Sequence, residues 1–165
     1  MGVGSYILDI LSNFYGVKGR NELSSRTEAR GLGTHIKWVP LDVGLKEAKE
    51  RGRPIMVVIH KSGCNACKFK PKIARSSEIA RLSSAFIMVN LLDDEELQRD
   101  DLMPDGRYVP RIIFLSPYGS VLKTVTNRIS KYPEKYFYGS VEELIDSMIQ
   151  VLKIYPLRNI LRLLQ

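Results

Sequence analysis

Two cysteines, two histidines and one tryptophan are all that the 165 residues contain of those types, and each scarcity excludes something. Two cysteines cannot staple a small disulfide scaffold, and a chain of this length needs none, since folding hides roughly 70% of its extended surface. No apolar run approaches the ~20 residues that a membrane-spanning helix requires. No low-complexity tract occurs, and 44% hydrophobic with 26% charged residues is the composition of a folded protein, not of a disordered one. The expectation is one soluble domain with some ornament at its ends.

Charge excludes less than it first suggests. Lys and Arg total 25 against 18 Asp and Glu, a net +7. Seven of those acids lie between Asp93 and Asp105, where Arg99 is the only base. The bases elsewhere are scattered, without the Lys/Arg runs or interleaved aromatics of a nucleic-acid surface, so no nucleic-acid partner is expected. The acidic stretch lacks the alternating Asp ladder and glycine of a calcium loop and reads as solvated. The ends carry no address. Asp9 interrupts the apolar Val3–Leu11 stretch, Tyr6 stands where a myristoylation motif wants Ser or Thr, and Leu163-Leu164-Gln165 is no retention signal.

Along the chain, residues 1–34 read as an arm with a short helix, 35–153 as the folded domain, and 154–165 as an amphipathic tail. A helix is predicted over 41–51, with Gly52 as its C-terminal cap. Pro54 to His60 (Pro-Ile-Met-Val-Val-Ile-His) is a continuous apolar run, the pattern of a strand buried on both faces at the centre of a sheet. A helix kinked at Pro71 is expected over 68–82, and further strands over 86–92 and 109–115. Ser116-Pro117-Tyr118-Gly119 reads as a turn that sends 120–125 back antiparallel. Ser140 and Glu143 form a capping box for a helix burying Leu144, Met148, Val151 and Leu152. The tyrosines at 132, 136 and 138 either pack over the sheet edge or line a groove. Pro156 opens a tail with Leu157, Ile160, Leu161 and Leu164 on one face, suited to packing on the domain, to a dimer or partner contact, or to a membrane surface. The order βαβ then ββα describes an α/β fold with a central mixed sheet flanked by helices.

Cys64 and Cys67 sit three apart between the central strand and a helix. That spacing puts two sulfurs on one face of a first helical turn, close enough to bond. Free N–H groups at the helix start favour the thiolate of the first, and the second can attack a mixed disulfide formed on it. Zinc uses the same spacing but needs four ligands, and only His35 and His60 are left to supply them. An inert core pair is the third reading. Pro110, preceded by Val109, opens a later strand, where a cis X–Pro bond would set a backbone edge beside the sulfurs.

Ile59–Lys68, Met88–Leu91, Pro104–Ile112 and Lys135–Tyr138 together resemble the thioredoxin superfamily. More narrowly, they resemble its small endoplasmic-reticulum members, the group of thioredoxin domain-containing protein 12 and the anterior-gradient proteins. The resemblance covers about residues 35–152 and implies a thioredoxin-like fold and a thiol–disulfide oxidoreductase. Cys64 would attack and Cys67 resolve, with no cofactor beyond the pair itself and no metal. Gly63, Val109, cis-Pro110 and Arg111 would meet the substrate chain. From their neighbourhood in the sequence alone, Lys61 and Arg111 are expected to add positive potential favouring the thiolate. Partners would be protein thiols and disulfides, with glutathione as electron partner, in the endoplasmic-reticulum lumen or alternatively the cytoplasm. The rival reading is a non-catalytic interaction or chaperone module of anterior-gradient type. Three features depart from the pattern: Gly63 replaces the usual Trp, Asn65-Ala66 lies between the cysteines, and Val58 replaces a buried carboxylate.

Overall fold

The computed structural model describes residues 29–64, 67–94 and 99–156. The predicted arm helix and most of the tail lie outside them. Four strands form one sheet: β1 (Trp38–Val39), β2 (Ile55–His60), β3 (Ile87–Leu92) and β4 (Arg111–Leu115). Their order is β1-β3-β2-β4, with β3 parallel to β1 and β2, and β4 antiparallel to β2. The apolar run therefore takes the central position its composition demands, and all six residues of β2 are buried.

Among the described residues, four α-helices and a 3₁₀ turn accompany the sheet: α1 (Leu41–Arg51), α2 (Lys70–Arg75), α3 (Ser77–Ser83), the turn at Asp100–Leu102, and α4 (Val141–Ile154). Alternation along the strands divides the core in two. Met56, Val58, Met88, Ile112 and Phe114 pack with Ile73, Ile79, Leu82, Leu144, Met148 and Val151 of α2, α3 and α4. Ile55, Val57, Ile59, Val89, Ile113 and Leu115 form the other face with Ala48 of α1. Ala29 and Leu32, read as part of the arm, belong to the first cluster.

Gly52 caps α1 in the left-handed region as expected, at φ +62°. Ser140 caps α4 by accepting from the Glu143 N–H, but the Glu143 carboxylate turns instead to Gly139 N–H and the Asn127 amide. Two expectations need correcting. The helix over 68–82 breaks at Ser76, not at Pro71. Proline in a first turn loses no hydrogen bond, whereas Ser76 is extended and its hydroxyl starts α3 by accepting from Ile79 N–H. The return stretch 120–125 makes only a bridge, Leu115 to Val121, because Lys135–Tyr136 takes the next place along β4, where Ile112 N–H donates to Tyr136 C=O. Strand β1 was not anticipated, since two residues carry no periodicity.

Candidate redox site

Strand β2 ends at His60, and four residues later the chain reaches Cys64. Gly63 makes the bend at φ +67°, a left-handed conformation that a side chain disfavours, although the space around it is open. Cys64 and Cys67 are bonded as a disulfide, with Cα atoms 5.2 Å apart. Cys67 N–H donates to Cys64 C=O, closing a single tight turn. Cys64 is half-buried at the edge of the α2/α3/α4 cluster, while Cys67 is buried within it. One sulfur is thus open to a partner and the other protected. That asymmetry is what attack followed by resolution requires.

Cys67 lies in a 3₁₀ turn, and the α-helix that follows the pair, α2, begins at Lys70 and has six residues. Val58, in the position of the absent carboxylate, is buried in the same cluster as Cys67. The buried polar residues that the strands themselves place on that face are His60 and Asn90. Both continue the alternation of Met56–Val58 and Met88, both are buried, and neither side chain makes a hydrogen bond to another described residue. Burial first, then the Lys70 ammonium and, less, Arg30, push His60 down from 6.5 to about 4, against a smaller upward pull from the Lys61 backbone and the Asn90 amide. His60 is therefore neutral near pH 7. Lys70 is itself lowered, first by burial and then by Arg30.

The Val109–Pro110 bond is cis. Arg111 pairs opposite Ile59, so this bond leaves the sheet at the end from which β2 runs toward Cys64. Among the described residues, the backbone N–H and C=O of Val109 enter no backbone–backbone hydrogen bond. Pro110 is buried, Val109 half-buried and Lys61 exposed. Arg111 departs from its expected role. It points to the sheet face opposite the cysteines and is fully buried. Its Nε donates to Leu102 C=O at 2.9 Å and its Nη1 to Tyr108 C=O at 2.6 Å, with Asp93 3.6 Å away. It neither meets a substrate nor places charge beside the sulfurs.

A thioredoxin-like family model matches residues 37–117, which include both cysteines and the cis bond. Anterior gradient protein 3 of Mus musculus is 32% identical over 90% of each chain. That of Xenopus tropicalis is 38% identical over 74% of this chain and 76% of its own. The anterior gradient protein 2 homolog of Homo sapiens is 31% identical over 78% and 74%. The chain belongs to the anterior gradient family.

Solved structures agree on the fold of this anterior gradient family member. The DsbH oxidoreductase superposes with a TM-score of 0.53 at 16% identity, covering 74% of this chain and 88% of its own. A thioredoxin from Thermus thermophilus gives 0.50 at 21%, covering 74% and 91%. Sequence reasoning weighed His60 only as a metal ligand and did not single out Asn90. The readable signal was a polar residue at an alternation step of an otherwise apolar strand, as in Ile-Met-Val-Asn-Leu-Leu.

Proposed function

We propose that the chain is a thiol–disulfide oxidoreductase acting on protein thiols and disulfides. The observation that carries this reading is the pairing of a half-buried Cys64 with a buried Cys67 in one disulfide. In the reducing direction the Cys64 thiolate attacks a substrate disulfide, and that S–S bond breaks as Cys64 joins one substrate sulfur. The other substrate sulfur leaves and takes a proton. Cys67 then gives its proton to solvent and attacks Cys64 Sγ, forming the Cys64–Cys67 bond and releasing the second substrate thiol. Two electrons move to the substrate and the protein pair is oxidised. Gly63 and the Val109–Pro110 edge receive the substrate backbone, and the exposed Lys61 adds positive potential. Glutathione is proposed as electron partner, and the endoplasmic-reticulum lumen, implied by the resemblance, as the compartment.

The test is the redox equilibrium of the pair in glutathione buffers, read by alkylation and intact mass. A reversible couple at about −180 mV assigns a disulfide donor or isomerase, and one at about −270 mV a reductase. Cys64→Ser abolishes exchange, and Cys67→Ala traps the mixed disulfide. Exchange by Cys64→Ser at the wild-type rate would falsify the assignment. The second reading, a binding module without turnover, draws on Gly63 and Val58, where the aromatic and carboxylate groups of a tuned pair are absent. A pair that never cycles would establish it.

A further inference from the structure

Arg111 is the most thoroughly buried charge among the described residues, and what it holds is not random. Its guanidinium joins three segments that are otherwise separate. Leu102 C=O belongs to the 3₁₀ turn, Tyr108 C=O to the turn into the cis bond, and Asp93 to the end of β3. Asp93 N–H in turn donates to His60 C=O at 2.8 Å, the last carbonyl of β2 before the chain departs for Cys64. A continuous path of polar contacts therefore runs from the strand end that delivers the cysteines to the carbonyl just before Val109. Arg107 Nη2 also lies 3.5 Å from the second Asp93 oxygen, so that carboxylate sits between two guanidiniums.

From the outer side the same loop is braced again. Tyr108 O–H donates to the Asp105 carboxylate at 2.8 Å and accepts from Tyr136 N–H at 3.1 Å, while Asp105 accepts from Lys135 N–H at 2.7 Å. Residues 102–110 would otherwise be an irregular loop free to shift. A buried arginine costs desolvation, and a hydrophobic side chain of similar volume often serves stability as well. A planar donor set of fixed geometry can donate to both carbonyls at once while its charge faces the Asp93 carboxylate 3.6 Å away.

We propose that Arg111 is a positioning residue: it holds the Val109–Pro110 edge in place relative to Cys64, and so sets how well the site engages a peptide disulfide as opposed to a small one. The proposal rests on the thiol–disulfide reading above. Lysine at this position keeps the charge but reaches one carbonyl at a time.

The test compares two substrates in the reduced full-length chain. One is a peptide with an internal disulfide, which uses the backbone edge, and the other is hydroxyethyl disulfide, which has no backbone to pair. Arg111→Lys is expected to raise KM for the peptide roughly tenfold, with kcat and the small-disulfide rate within about twofold of wild type. Tyr108→Phe, which cuts the outer brace without touching the core charge, is expected to raise the peptide KM about threefold. It decides the matter if Arg111→Lys does not fold. An unchanged peptide KM in the variant that folds, or a parallel loss on both substrates, overturns the proposal. Failure of the wild-type chain to exchange with hydroxyethyl disulfide would instead overturn the oxidoreductase reading itself.

Discussion

Polar groups buried on opposite faces of the sheet, Arg111 on one and His60 with Asn90 on the other, are held differently. On the α1 face, Arg111 donates to two carbonyls and lies 3.6 Å from the Asp93 carboxylate. On the cysteine face, His60 and Asn90 are equally hidden and their side-chain nitrogens and oxygen have no hydrogen-bond partner among the described residues. A buried charge survives only where geometry satisfies it, whereas a neutral imidazole can be tolerated because it gives up its proton instead. The first arrangement confers a defined loop position. The second confers a sensitivity to acid, on the face that also carries Cys67.

The sharpest way to break this contrast is to delete one group from each face. Arg111→Met leaves two buried carbonyls without their donor and Asp93 with Arg107 as its remaining guanidinium, and should cost about 3–5 kcal/mol, read as the urea midpoint. His60→Leu removes polar atoms that are already unpartnered and should change stability by less than about 1 kcal/mol. Equal losses in the two variants would erase the distinction. Next in size is the acid response. Below 6.5 the unfolded chain takes up a proton at His60 that the folded chain refuses until about 4. Stability therefore falls as pH drops through that window, by up to about 3 kcal/mol, and His60→Leu should flatten the profile. A wild-type midpoint constant from pH 7 to 4 would contradict it.

Smaller effects refine the cysteine face. Tyr138 O–H meets Ser147 Oγ at 3.0 Å, and that hydroxyl donates to Thr126 C=O, so this buried pair is satisfied where His60 is not. Tyr138→Phe should then cost about 1–1.5 kcal/mol in thermal or urea unfolding, more than His60→Leu. Gly63→Ala meets no atom but must hold the left-handed bend, so the expected loss is about 1 kcal/mol with Cys64 alkylation still rapid. No loss at all would mean that the bend relaxes freely.

Much of this was legible in the residues, for reasons specific to each element. The run 54–60 reads as a central strand because no other setting hides six consecutive apolar side chains on both faces. Gly52 and Ser140 announce helix ends because their caps are local chemistry. Cys64 and Cys67 are three apart, so their bond is also local. The site beyond them was not readable in the same way. Arg111 follows Pro110 directly, and adjacency suggested that it faces the sulfurs. Alternation along β4 sends it to the opposite face.

By itself, then, the sequence determined the class of fold, the central strand, the helix caps and the Cys64–Cys67 pairing, because each depends on residues within one or two turns of one another. Tertiary structure decided the rest. Whether 120–125 pairs as a strand depended on Lys135–Tyr136 lying beside β4. What Arg111 holds depended on Asp93 and Leu102 arriving from other segments. Such outcomes are set by contacts between distant stretches of chain, which local pattern does not encode.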